Sequence, residues 1–463
     1  MAALSPLDRL MPRGYVRQLF CFPSTHADVP RVLKAGLAGV VADVPYLLAG
    51  VSTQRISLTE PYQTLEDVFS EEDLSDVLDY AAMKRENFPP AAFIAPGIVP
   101  PTTQPPFPDP MPVFHARVSL VKGGFVLCVA VHHCTTDITG FGALLKLWAS
   151  HCRTGASAAV GLDAAWLDRG ALLEQPDGAN RAAPASIPQL LHVRGLTDYA
   201  RVSAASAQPS DPTTCIFFFP QQSLQFLKHA VNGHIASQGI SGWVSTGDIL
   251  TALLWSAILA AELDPTSGSL EGTNTIGFPV QFRSHLRPSL PPDYLGAAFI
   301  MTSATNSRAD LVSFAANTNA PHGEAPLDPV SLSRLAKIAC TIRSSLRRVD
   351  EESVRDVLMY LDATSENHPP ITLGPRHDGI SIVSWADQSM YELDWGDVIG
   401  RCDAVRLPKL MFKRYPIVLP RVPAGVNGSE GGLEVIVSFD RHVMERFQYS
   451  WPIHRWAALR CQP

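Results

Sequence analysis

The stretch Phe125-Val-Leu-Cys-Val-Ala-Val131 constrains this chain most, because it is apolar at every position. Successive side chains of a strand point to opposite faces, so Phe125, Leu127, Val129 and Val131 share one face and Cys128 and Ala130 the other. A strand with two apolar faces has to be covered on both sides, and its last residues then open into the interior. Val113–Val121 precedes it through Lys122-Gly123-Gly124, and a Gly-Gly flanked by apolar alternation predicts a hairpin. Directly after the strand come His132-His133-Cys134-Thr135-Thr136-Asp137, followed by Phe141, Leu144, Leu145 and Trp148 at helical spacing. Two histidines and an aspartate therefore occupy a strand-to-helix turn. His133 continues the face of Val131, and among the 14 histidines it alone has an aspartate four positions later.

At 463 residues the chain is long for one core, and two domains of ordinary size are expected. The 46% hydrophobic and 17% charged composition is that of a well-buried globular protein. The remaining segments alternate in type. Thr64–Arg85 is acidic and amphipathic, while strands are expected at Cys215–Phe219, Thr275–Phe282, Ile380–Ser384 and Leu433–Phe439. Helices are expected at Ser223–Ala236, Ile249–Leu263, Pro329–Leu346 and Val443–Trp451. Residues 175–212, rich in Ala, Pro, Ser, Asn and Asp, read as a linker. The pattern is α+β in two comparable halves, 1–195 and 196–463.

A net charge of −7 argues against nucleic acid as a partner. The longest apolar run, Ile249–Ala261, is too short to span a bilayer. Eight scattered cysteines without a C-x-x-C pair, and an N-terminus without a basic and apolar leader, point to a cytoplasmic protein.

A neutral imidazole, with an ordinary pKa near ~6.5, is suited to taking a proton from a hydroxyl or amine. A following helix N-terminus disfavours the imidazolium and keeps such a base free. Asp137 can either hold the imidazole tautomer or pair with a distant cation and pin the loop; spacing does not choose. A metal site is not expected, since adjacent histidines on a strand diverge. Cys134 reads as packing rather than as a nucleophile. No Gly-x-Ser-x-Gly, phosphate loop, Gly-x-Gly-x-x-Gly or His-Glu-x-x-His occurs, which leaves catalysis by a base without a covalent enzyme intermediate.

The His-His-x-x-x-Asp segment 132–137 resembles that of the BAHD acyl-CoA-dependent acyltransferases. Tyr391-Glu-Leu-Asp394-Trp395-Gly396-Asp397-Val-Ile-Gly400, preceded by Ser384-Trp385, is similar to the family's Asp-Phe-Gly-Trp-Gly region. Val280-Gln-Phe-Arg283 through Pro288, Pro291-Pro292, Tyr294 and Gly296 is similar to a second family segment. Leu4-Ser-Pro-Leu-Asp8, Leu33-Lys-Ala-Gly36-Leu37 and Ser245-Thr-Gly-Asp248 with Trp255 follow in the expected order. The whole is closest to the fungal branch, which includes trichothecene 3-O-acetyltransferases. Departures are Ile138 where a glycine is usual, with Gly140 two places on, and His285, Ala297 and Asp397 at three other motif positions.

The resemblance implies two chloramphenicol-acetyltransferase-like domains with mixed sheets flanked by helices, and an active-site channel between them. It implies acyl-CoA, acetyl-CoA by default, as co-substrate, a small-molecule acceptor with a hydroxyl, no metal, and a monomer. His133 would be the general base and Asp137 a structural partner of the catalytic loop, paired with Arg283. Asp394 and Gly396 would be structural. Ser384, Trp385 and Trp395 would line the oxyanion or substrate channel. His132 would be a bystander. A condensation-domain-like enzyme using carrier-protein thioesters, or a relative repurposed for cyclisation or dimerisation of a metabolite, are the alternatives.

Overall fold

The computed structural model describes residues 3–52, 56–154, 162–174, 182–191, 193–195, 212–263, 269–315, 327–364, 371–373, 379–408, 410 and 413–461. The expected crossover at about 175–212 falls largely outside them. The fold is α+β, with mixed sheets flanked by helices.

The hairpin forms as expected. Strand β1 (Tyr15–Phe22) is followed along the chain by helix α1 (Val29–Asp43), β2 (Phe114–Val121) and β3 (Gly124–His132). β3 lies between β1 and β2, antiparallel to both, in a five-stranded sheet. Gly123 makes the connection at φ +84, a conformation open to glycine at little steric cost. All nine residues of β3 are buried, and its faces enter different cores. Phe125, Leu127, Val129 and Val131 join the principal cluster, while Val126 and Cys128 join a smaller one with Leu19, Tyr80 and Phe88.

The principal cluster also collects residues from far along the chain, including Tyr294, Ile300, Trp395 and Val405. The edge strand Ala404–Arg406 pairs with β1, so the second half of the chain completes the sheet of the first. Arg406 then reaches Glu434 in the other five-stranded sheet at 2.6 Å, both residues being buried. The opposite edge is Phe69–Asp73, a strand inside the acidic segment 64–85. Its Ser-Glu-Glu-Asp run hides it from a hydrophobic pattern, because only Phe69 of the strand is buried.

Further along, β4 (Thr213–Pro220), helix α2 (Thr246–Glu262), β5 (Thr273–Gln281) and β6 (Phe299–Ser307) follow in order. Ser245 and Asp248 form a capping box at the start of α2. β5 and β6 form an antiparallel pair, and that pairing carries Phe299 and the loop before it toward the His133–Thr135 turn. The strand expected at 380–384 is two short strands, Ile380–Ser381 and Val383–Ser384, in different sheets.

Candidate active site

His133 begins a 3-10 turn, His133–Thr135, directly after β3 and before the helix Ile138–Thr154. Its backbone N–H donates to the Gly14 carbonyl at 2.8 Å, which fixes where the imidazole leaves the strand. His133 keeps some accessible surface although protein surrounds it. Phe299 of β6 lies beside it, with ring centroids 6.3 Å apart. Nδ1 is sealed from water, which leaves Nε2 as the ring nitrogen a substrate could reach. Burial pulls the imidazole below its ordinary range. The backbone of His133 itself, the charge of Asp137 and the backbone of Thr136 oppose this shift without cancelling it.

Asp137 does not serve the imidazole. Its Oδ1 accepts from the N–H groups of Thr139 (3.0 Å) and Gly140 (2.9 Å) and from Arg283 Nη2 (2.8 Å). Oδ2 accepts from Arg283 Nη1 and from the Ala298 N–H, both at 2.9 Å. Five donors saturate a carboxylate that offers about four lone-pair sites. The two roles that spacing left open are therefore separated by geometry: Asp137 pairs with the cation. Burial pushes its carboxyl upward, but the Arg283 charge and hydrogen bonds, together with the Gly140 and Ala298 N–H groups, hold it below the usual carboxylate range. Asp137 is also the helix cap, a role its position before Ile-Thr-Gly already signals.

Arg283 is as closely held. Besides the bidentate pair it donates to the carbonyls of Tyr294 and Gly296 at 3.0 Å each, and its guanidinium lies 5.7 Å from the Tyr294 ring centroid. Gly140 explains the Asp-x-x-Gly spacing. A Cβ there would stand 2.5 Å from the Leu295 carbonyl oxygen and from Thr136 Oγ1.

His132 is buried and supports the turn. Its Nδ1 accepts from the Cys134 N–H at 3.2 Å, and its ring meets Tyr15 edge-on. Burial, then His133 and Arg13, lower its pKa to about 3. Burial raises the Cys134 thiol to about 12, and its Sγ faces the Met11 carbonyl. It has neither the charge nor the exposure of a nucleophile. Among the described residues no group of three or more His, Cys, Asp or Glu side chains is placed to hold a metal ion.

The aromatic and serine candidates divide. Trp385 is buried in an apolar cluster, and Ile138 packs against that cluster. Ser384, one residue earlier, is exposed, and its Oγ accepts from the Ala386 N–H at 3.4 Å. Trp395 is not brought to His133. It packs edge-on against Phe22 and Trp148, and Phe22 pairs with Phe125 at the far end of β3. Eight residues of strand separate Phe125 from His133, about 26 Å at ~3.3 Å per residue. Asp394 and Gly396 shape the same remote loop: Asp394 Oδ1 accepts from the Gly396 N–H, and Gly396, at φ +88, lies against the backbone of Arg153. That loop abuts the last turn of the helix whose first turn carries Asp137.

Phe299 and Arg169 touch the His133–Thr135 turn, and sequence reasoning passed over both. Phe299 carries no motif, and Arg169 lies in a short Asp-Arg-Gly segment without periodicity.

Comparison with known proteins gives a consistent picture. The model of the Transferase family matches residues 3–451. O-acetyltransferase cpsE of Aspergillus campestris is 28% identical over 67% of this chain and 63% of its own length, so that alignment spans just under two thirds of the relative. O-acetyltransferase ptmV of Penicillium ochrochloron is 24% identical over 96% of this chain and 94% of its own. The crystal structure of F. graminearum TRI101 complexed with coenzyme A and deoxynivalenol shares the fold, with a TM-score of 0.76 and 19% identity over 99% of both chains.

Proposed function

The chain belongs to the Transferase family of BAHD acyltransferases, and from that premise we propose that it is an acyl-CoA-dependent O-acetyltransferase acting on a hydroxyl of a fungal secondary metabolite, with His133 as general base. The observation that carries the reading is the division between His133 and Asp137. The imidazole is held neutral and open at Nε2, while its neighbouring carboxylate is consumed by Arg283 and three backbone N–H groups. O-acetyltransferase names among the relatives, and coenzyme A in the TRI101 complexes, support acyl-CoA as the donor.

On this reading Nε2 takes the proton of the acceptor hydroxyl as its oxygen attacks the thioester carbonyl. A C–O bond forms and a tetrahedral oxyanion develops. Collapse breaks the C–S bond, and the imidazolium returns its proton to the departing CoA thiolate. No covalent enzyme intermediate arises, which suits a site whose nearest thiol, Cys134, is buried and protonated. Eight unpaired cysteines fit a reducing, cytoplasmic setting. No helix among the described residues is long and apolar enough to cross a membrane.

The test is incubation of the purified protein with acetyl-CoA and candidate terpenoid, polyketide and alkaloid alcohols. Free thiol release should be accompanied by a product heavier by one acetyl group. Turnover confined to thioesters of an acyl-carrier protein would replace this reading with a condensation-type enzyme. Acetyl transfer undiminished in His133→Ala would remove the base.

A further inference from the structure

We propose that the buried ion pair between Arg169 and Asp8 is a second positioning device for His133, acting through the carbonyl of Thr135 and resting on the reading of His133 as the base.

Arg169 spans the gap between two fixed points. Its Nη1 donates to Asp8 Oδ2 at 2.7 Å, and its Nη2 donates to the Thr135 carbonyl at 2.8 Å and the Tyr46 hydroxyl at 3.4 Å. Thr135 ends the 3-10 turn that His133 begins, and it is wholly buried. Without Arg169 this carbonyl would lose a charged donor where water does not reach. The guanidinium is a rigid planar fork, so the position of Asp8 sets the position of the Thr135 oxygen. Asp8 is itself immobilised: Ser5 N–H donates to Oδ2 at 2.9 Å and Ala297 N–H to Oδ1 at 2.9 Å.

The two ion pairs share one piece of backbone. Successive N–H groups, Ala297 and Ala298, go to Asp8 and Asp137 respectively. The Tyr294 ring lies within 6.0 Å of the Arg169 guanidinium and 5.7 Å of the Arg283 guanidinium. A Cβ on Gly296 would stand 2.5 Å from Arg169 Nη1 and closer still to the Tyr294 hydroxyl, so the segment threads between the cations with no room for a side chain. The turn is thereby held at residue 135 from one side and at residue 137 from the other. The His133 N–H bond to the Gly14 carbonyl holds the start of the turn, so losing Arg169 frees its end at Thr135, and an imidazole displaced by about 1 Å can lose about a hundredfold in rate.

The experiment compares Arg169→Lys with the double variant Asp8→Asn/Arg169→Gln, which keeps neutral hydrogen-bonding groups in case the single change fails to fold. Kinetics with acetyl-CoA would be read beside an NMR titration of His133, assigned through loss of its signal in His133→Gln. The expected result is kcat reduced about tenfold or more, KM for acetyl-CoA within about twofold, and a His133 titration displaced toward ~6.5 as the loosened turn admits water. Folded variants with wild-type kcat and His133 titration, and only a lower unfolding temperature, would overturn the proposal and leave Arg169 a brace for the fold. The NMR arm reports on the turn even if acetyl transfer proves not to be the reaction.

Discussion

Replacing Asp137 by alanine tests whether the carboxylate acts on the loop or on the chemistry. The substitution removes one partner of a buried bidentate pair with Arg283, whose side chain is 4% exposed. With charge centres about 4 Å apart and an effective dielectric of about 20, the lost attraction is about 4 kcal/mol. Buried pairs broken from one side cost about 3–5 kcal/mol, in agreement. Loss of the cap on Thr139 and Gly140 adds about 1 kcal/mol. Arg283 keeps the Tyr294 and Gly296 carbonyls, which argues for the lower part of the range and a total of about 4–5 kcal/mol. Asp137→Asn should retain the cap and recover about 1 kcal/mol of that. Urea unfolding at neutral pH measures these differences. The depressed carboxyl also predicts their pH dependence: the pair's contribution is complete above the unfolded pKa of ~3.9 and is lost as pH falls through the lower folded value. An Asp137→Ala protein with normal stability and an undisturbed His133, yet no activity, would refute the reasoning by assigning Asp137 a direct chemical role.

Other outcomes follow from the same geometry. His133→Ala should lower kcat by about 10²–10⁴-fold without loss of acetyl-CoA binding, checked by single-turnover kinetics and calorimetry. Because burial lowers the His133 pKa and the base must be neutral, the acid limb of kcat/KM should lie below ~6.5, and a limb above that value would contradict the site's electrostatics. His132→Ala should cost about 1 kcal/mol, through the lost bond from the Cys134 N–H, while leaving the shape of the pH–rate profile intact. Gly140→Ala should destabilise by about 1–3 kcal/mol, since its Cβ meets the Leu295 carbonyl, and thermal unfolding measures that cost.

How much of this was legible in the sequence depended on the kind of signal. The buried hairpin announced itself because β3 is apolar on both faces, and the pairing of Asp137 with Arg283 was reached through ordered motifs. The edge strand Phe69–Asp73 was not, since an edge strand facing water needs no hydrophobic alternation. The strand Ala404–Arg406 was missed because three residues carry no period, and only pairing with β1 defines them. Trp395 shows the opposite failure. Its motif reads as part of a reaction site, yet its indole fills the space between Phe22 and Trp148 at the other end of the sheet. Arg169 was invisible because its partners Asp8 and Thr135 lie 161 and 34 residues away.

The remote loop and the His133 turn nevertheless lie at opposite ends of one helix. The helix Ile138–Thr154 links them: Asp137, before its first turn, pairs with Arg283, and Gly396 lies against the Arg153 backbone in its last turn. Trp148 adds a hold midway, its Nε1–H donating to the Leu33 carbonyl of α1 at 2.9 Å. A substitution at Gly396 therefore acts about 22 Å from Ile138, along a helix rising ~1.5 Å per residue. A non-glycine residue at φ +88 costs about 1–2 kcal/mol, and a Cβ there would stand 3.1 Å from the Arg153 Cα. Gly396→Ala should consequently lower the unfolding temperature and lower kcat with KM for acetyl-CoA unchanged. Loss of stability with full kcat would mean that the Asp137–Arg283 pair holds the turn independently of the helix's far end.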